Sequence, residues 1–180
     1  DTQKLILDVG LTLGARNVLV VSRHEDYDAS IDQFRALCER VGDGLRVCLE
    51  FGEFTQIKSL QAASAFIAAV DHPAAGILID LMHLARSGEA LPDLTESRFP
   101  YVQACDFLQS SRLMTGRDYI QAAIDDRCCL GEGDAAVARI DTVRHAKVDV
   151  SLEIRSRALR AAFPDPFQRA QAIFNRCLRA

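Results

Sequence analysis

Four short apolar runs in this chain each end in a side chain that can offer an oxygen to a metal ion. They are Leu45-Arg46-Val47-Cys48-Leu49-Glu50, Gly76-Ile77-Leu78-Ile79-Asp80, Tyr101-Val102-Gln103 and Val148-Asp149-Val150-Ser151-Leu152-Glu153. Leu-rich and β-branched runs of this length, bounded by Gly, Pro or Asp, read as buried parallel strands. The C-terminal ends of such strands are where α/β barrels and open α/β sheets carry their active sites. Three carboxylates and one amide, recurring at the same place in four strands, point to a divalent-cation site made of Glu50, Asp80, Gln103 and Glu153.

The elements that would place those groups follow from their spacing. Thirty residues separate Glu50 from Asp80, twenty-three separate Asp80 from Gln103, and fifty separate Gln103 from Glu153. A strand-helix unit of an eight-unit parallel barrel averages about 30 residues, so the gaps are one unit, one unit and two. A further strand, Asn17-Val18-Leu19-Val20-Val21-Ser22, lies one unit before Glu50. Helical stretches are expected at Thr2–Leu13, Ala29–Arg40, Ile57–Val70, Asp118–Ile124, Asp134–Arg144 and Pro166–Leu178. Strict alternation of this kind implies a parallel sheet with right-handed crossovers. The count reaches six units at most, so the expectation is a barrel that lacks its first one to two units. Residues 1–180 would form most of a single domain.

Composition describes an ordinary soluble globular chain: 49% hydrophobic, 26% charged and net charge −4 over 180 residues. No apolar run approaches the roughly 20 residues of a membrane span. The mild acidity and scattered cations argue against a nucleic-acid surface. The six cysteines show neither CxxC pairing nor zinc-ribbon spacing. Cys38, Cys48 and Cys105 read as reduced core residues, and a cytoplasmic setting is the default.

In order along the chain, Leu49-Glu50-Phe51, Leu78-Ile79-Asp80-Leu81-Met82-His83, Val102-Gln103-Ala104-Cys105-Asp106, Leu130-Gly131-Glu132-Gly133 and Ser151-Leu152-Glu153-Ile154 resemble the sugar phosphate isomerase/epimerase superfamily, the xylose-isomerase-like TIM barrels. The resemblance implies a TIM (β/α)8 barrel in which four strand ends supply Glu, Asp, His and Glu to one divalent metal. Carried over, these are Glu50, Asp80, Gln103 and Glu153. The departure is Gln103, where most sugar epimerases have His. A Gln there resembles the bacterial 3-dehydroshikimate dehydratase branch.

Read as chemistry, the set offers only oxygens. Hard oxygen ligands suit Mg²⁺ or Mn²⁺, whereas imidazole would favour Zn²⁺ or Co²⁺. A substrate carbonyl and its neighbouring hydroxyl at such a cation would have an acidified C–H between them and a stabilised enediolate. Glu50 and Glu153 could then serve as base and acid. His83, three residues past Asp80, would share its direction if the chain turns helical over Leu81–Arg86, and is the candidate acid/base at the barrel mouth. Arg127, ahead of the Gly131-Glu132-Gly133 turn, could bind an anionic substrate group, and Asp106 could contact substrate or make a structural hydrogen bond. Glu132 reads as a turn residue, His24 as part of a polar loop, His72 as a turn residue, and His145 as a helix-end cation.

Three functions fit. One is an isomerase or epimerase of a sugar, sugar phosphate or related hydroxyketone. The second is a lyase that dehydrates a cyclic hydroxyketone such as 3-dehydroshikimate. The third is a non-catalytic barrel remnant or binding protein, whose open edges would aggregate or recruit a partner, including a second copy. Base rates favour the first, while Gln103 and His83 tilt toward the second.

Overall fold

The computed structural model of the chain describes residues 2–108, 116–133, 137–146 and 148–178. Strand and helix alternate as far as Gln103; in the expected two-unit gap from there to Glu153 the described residues hold two helices with no strand between them. They are α1 (Thr2–Thr12), β1 (Asn17–Val21), α2 (Tyr27–Val41), β2 (Arg46–Glu50), α3 (Leu60–Val70), β3 (Ala75–Asp80) and α4 (Leu81–Arg86). After these come β4 (Tyr101–Ala104), α5 (Gly116–Asp125), α6 (Val137–His145), β5 (Asp149–Leu152), α7 (Arg157–Ala162) and α8 (Pro166–Cys177). They fall into two compact units. The first runs to Ile79 and takes in Pro92–Tyr101; the second comprises Asp80–Leu91 and the chain from Val102 onward.

In the first unit β1 pairs parallel with β2, from Asn17 beside Arg46 to Val21 beside Glu50. β2 pairs parallel with β3, from Val47 beside Ala75 to Glu50 beside Leu78. The connecting helices start where short polar side chains can satisfy free N–H groups. Asp26 accepts from Ala29 N at 3.0 Å before α2, and Ser59 accepts from Ala62 N at 3.1 Å before α3. Both helices turn aromatic faces inward, and Phe34 meets Phe66 edge-on with ring centroids 5.5 Å apart. Val47, Cys48, Leu49, Ile77 and Leu78 are fully buried, as a sheet covered by helices requires.

The second unit begins where Asp80 ends β3. Met82, Cys105 and Phe107 form its core, with Ala85, Ala123 and Ile154 packed against them. Beyond β4 the chain at Asp106 exchanges backbone hydrogen bonds with Cys128, at 3.0 and 2.8 Å, and Arg127 N donates to Arg155 O at 3.0 Å. Residues 126–128 are therefore clamped between the segments that follow β4 and β5. Gly133 approaches Asp106 so closely that a Cβ there would sit 2.5 Å from Asp106 Oδ1 and 2.6 Å from Phe107 O. Gly131 adopts φ 80°, open to glycine at little cost. Those two demands explain the Gly-Glu-Gly motif.

One expectation is corrected. The run at 148–153 was read as a buried strand, yet every residue of β5 is exposed, with Val150 at 45% and Leu152 at 36%. The strand also stops at Leu152, one residue short of Glu153. Helix α7 had no counterpart in the apolar pattern, because it is six residues long and buries only Leu159; its signal was the cap, Ser156 accepting from Leu159 N. The expected helix from Asp134 is present from Val137, while 134–136 lie outside the described residues. No helix among the described residues is long and apolar enough to cross a membrane.

Candidate functional site

In the second unit the last residue of β3 does two jobs. Asp80 Oδ1 caps α4, accepting from Met82 N at 2.8 Å and His83 N at 3.1 Å. The cap starts α4 at once, so the Leu81–Arg86 turn foreseen from sequence is a helix and His83 is carried to the same side as Asp80. Its other oxygen, Oδ2, receives Arg127 Nη1 at 2.7 Å. His83 Nε2 lies 4.0 Å from that same oxygen and 3.4 Å from Arg127 Nη2. On the far side of the ring, Nδ1 is 2.7 Å from the Tyr119 hydroxyl.

Arg127 is the hub of the cluster. It is 3% exposed, and beyond Asp80 its Nε donates to Ala123 O at 2.9 Å and its Nη1 to Cys105 Sγ at 3.2 Å. Its Nη2 stands 3.5 Å from Glu153 Oε2. The sequence offers Arg127 as a loop cation, for a substrate anion or for solvent; the fold buries it among protein acceptors. His83, expected at an open mouth, is 2% exposed. Asp106 is fully buried, and its carboxylate accepts from Phe107 N at 2.8 Å and Gly131 N at 3.1 Å. Those two bonds hold the turn.

Burial and charge set the protonation states. Burial alone would raise the Asp80 carboxyl, but His83 and Arg127 facing it, with their hydrogen bonds, outweigh that and hold it below the ordinary carboxylate range. Burial pushes His83 down to about 4, with Asp80 pulling the other way and Arg127 and Arg86 adding to the fall, so the ring is neutral near pH 7. Burial raises the Glu153 carboxyl, Arg127 opposes the rise and Asp80 adds to it. The Arg127 guanidinium is held still more firmly charged: burial opposes the charge, and Asp80 more than compensates.

The remaining sequence candidates are Gln103 and Glu50. Gln103 lies one residue inside the end of β4, and Glu153 follows β5, tied to β4 by its N–H to Ala104 O at 3.0 Å. Gln103 Oε1 is buried and makes no hydrogen bond, whereas the buried Glu153 Oε2, also without a hydrogen bond, is ion-paired with Arg127 Nη2 at 3.5 Å. An unsatisfied buried acceptor costs about 1–3 kcal/mol, and a hard cation relieves that cost because it needs oxygen lone pairs. The donor chemistry therefore fits a divalent ion. Glu50 closes β2 in the first unit and is 7% exposed. Tyr119 and Arg86 were missed from sequence. Arg86 sits 4.9 Å from the Tyr119 ring centre and 5.5 Å from that of Phe107. Three other histidines keep local roles: His24 accepts from Asp26 N at 3.1 Å, His72 accepts from Ala74 N at 3.1 Å, and His145 contacts Asp141 O at 2.6 Å.

Residues 4–177 match the family described as xylose isomerase-like TIM barrel. Among solved structures, a xylose isomerase-like TIM barrel/4-hydroxyphenylpyruvate dioxygenase fusion protein shares 24% identity at a TM-score of 0.72, over 87% of this chain and 26% of that one. The IOLI protein, solved with a bound zinc atom, shares 16% identity at a TM-score of 0.74, over 96% of this chain and 66% of that one. The probable 3-DHS dehydratase AsbF of Bacillus anthracis, involved in petrobactin synthesis, shares 16% identity at a TM-score of 0.66, over 87% of this chain and 63% of that one. The chain thus spans less than two thirds of the length of each. No curated protein matches it.

Proposed function

The chain belongs to the xylose isomerase-like TIM-barrel family, and within it we propose a divalent-metal-dependent isomerase or epimerase of a sugar, sugar phosphate or related hydroxyketone. The observation that carries the reading is the buried Gln103 Oε1, which makes no hydrogen bond. It belongs to one of the four strand-end groups that the sequence singles out. Asp80, Gln103 and Glu153 of the second unit would hold the ion, and an all-oxygen set makes it Mg²⁺ or Mn²⁺. When bound, the ion supplies Lewis acidity to a substrate carbonyl and hydroxyl.

The protein's own groups divide the remaining work. Glu153, whose side chain keeps 24% exposure, can reach a bound substrate and take or return a proton at the carbon beside the carbonyl. His83, neutral and buried, offers hydrogen-bonding groups where a substrate hydroxyl would lie. Arg127 keeps Asp80 ionised and neutralises part of the carboxylate charge.

A second reading, dehydration of a cyclic hydroxyketone such as 3-dehydroshikimate, is favoured by Gln103, since an amide can coordinate but cannot exchange a proton near neutral pH. The two begin alike and differ in whether a hydroxyl leaves. The test is to strip the purified protein with chelator, reload it with Mg²⁺ or Mn²⁺, and assay a ketose panel in D₂O and 3-dehydroshikimate by absorbance. Metal-dependent deuterium incorporation into a ketose supports the first reading. Aromatic product without exchange into any ketose replaces it with the second, and neither signal rejects both.

A further inference from the structure

We propose that Arg86 is the anion-binding residue of the second unit: its guanidinium takes a carboxylate or phosphate group carried by the substrate, so the hydroxyketone is an anionic one. The argument is one of donors left over. A guanidinium carries five N–H donors in one plane and no acceptor. Arg127 gives its donors to Asp80 Oδ2 at 2.7 Å, Ala123 O at 2.9 Å and Cys105 Sγ at 3.2 Å, and is 3% exposed. It is committed to the protein. Arg86 is not: its Nη1 is buried and makes no hydrogen bond. No carboxylate among the described residues forms an ion pair with it.

What meets the Arg86 guanidinium is aromatic. Its carbon lies 4.9 Å from the Tyr119 ring centre and 5.5 Å from that of Phe107. Ring faces steady the charge but do not accept the N–H groups that point outward in the guanidinium plane. A buried donor without an acceptor is costly, and an oxyanion, which can take two parallel N–H bonds from one arginine, removes that cost. The residue is only half-buried, which leaves an approach from outside. Arg86 ends α4, three residues after His83, so the two share a helix face. Tyr119 touches both, with its hydroxyl 2.7 Å from His83 Nδ1 and its ring against Arg86. Gln103, in the same unit, presents the opposite deficit, a buried acceptor without a donor. One unpaired acceptor suits a cation and one unpaired donor suits an anion, as a substrate with a metal-binding carbonyl and a charged end requires. That the anion belongs to the substrate rests on the isomerase or lyase reading above; that Arg86 binds an oxyanion does not.

The test is a titration of metal-free, ¹⁵N-labelled protein with sodium phosphate and, separately, sodium acetate, against sodium chloride at equal ionic strength. It is read on the arginine Nε–Hε signals, the Arg86 signal being the one lost in Arg86→Gln, or in Arg86→Lys if the first variant does not fold. The expected result is a saturable shift of that signal with phosphate or acetate and none with chloride. The anion that saturates at the lower concentration names the charged end. An Arg86 signal that stays still, or moves equally in chloride, overturns the proposal. Where an activity is established, Arg86→Gln raises KM for an anionic hydroxyketone by about 10–100-fold, the loss of a charged hydrogen bond, with kcat little changed. An equal loss on anionic and neutral substrates, or turnover of neutral ketoses alone, overturns the assignment to substrate. The titration needs neither metal nor substrate, so its failure and that of the functional reading are separable.

Discussion

Asp80→Asn isolates the charge at the centre of the cluster. Asn has the shape of Asp and is an equally good helix cap, so the bonds from Met82 N and His83 N to Oδ1, at 2.8 and 3.1 Å, survive. What goes is the negative partner of Arg127 at 2.7 Å, in a pair whose side chains are 0% and 2% exposed. Removing one member of such a pair costs about 3–5 kcal/mol, because the other charge is left buried. Glu153, 3.5 Å from Nη2, offsets part of this, which places the expected loss near the lower end, about 3 kcal/mol. With a urea slope of about 1–3 kcal/mol/M, the unfolding midpoint should fall by about 1–3 M. The assay is equilibrium unfolding in EDTA, so that cation binding contributes nothing. Adding Arg127→Met removes the stranded cation, and the double variant should be no less stable than Asp80→Asn alone. A loss under about 1 kcal/mol, the range of a solvent-exposed pair, or strictly additive losses in the double variant, would refute the reasoning.

In the first unit, Phe66→Ala should cost about 3–5 kcal/mol, since the ring is fully buried between Tyr27 and Phe34; a calorimetric or urea measurement showing less than about 1 kcal/mol contradicts that packing. His83, held down to about 4 from an ordinary 6.5, binds fewer protons folded than unfolded between those values. It therefore adds stability above pH 6.5, roughly 3 kcal/mol, that is lost as pH falls toward 4. In metal-free protein His83→Gln should flatten that part of the stability–pH curve, and an unchanged slope argues against it. Burial raises the Cys38 thiol to about 11 and those of Cys48 and Cys105 to about 12. In the native protein at pH 8 these three should resist a thiol reagent that labels all six in denaturant, with half-buried Cys128 reacting first; native labelling of the three at denatured rates would count against their burial.

The sequence alone determined most of the elements and the family, since both are written in local patterns. The runs ending at Glu50 and Asp80 became β2 and β3 within a residue of their expected bounds, because β-branched and Leu-rich runs bury on both faces wherever helices cover a sheet. The stretch from Leu81 to Arg86 suggests a helical turn after the strand, and the structure makes it α4, with Asp80 as its cap. Helix α7 escaped because six residues with one buried side chain carry no period. The exposure of β5 escaped because an apolar run reports what a strand can bury and not what packs against it. Only the tertiary structure decided what becomes of the charges. Arg127 looked like a solvated loop residue, yet the partner that makes its burial tolerable, Asp80, is 47 residues away in the chain. Tyr119 was an unremarked helix residue until the fold brought it to His83 across 36 residues. Pairing energies fall off over a few ångströms, so which acid meets which base depends on side-chain placement after the chain has packed, a quantity that spacing along the sequence does not contain.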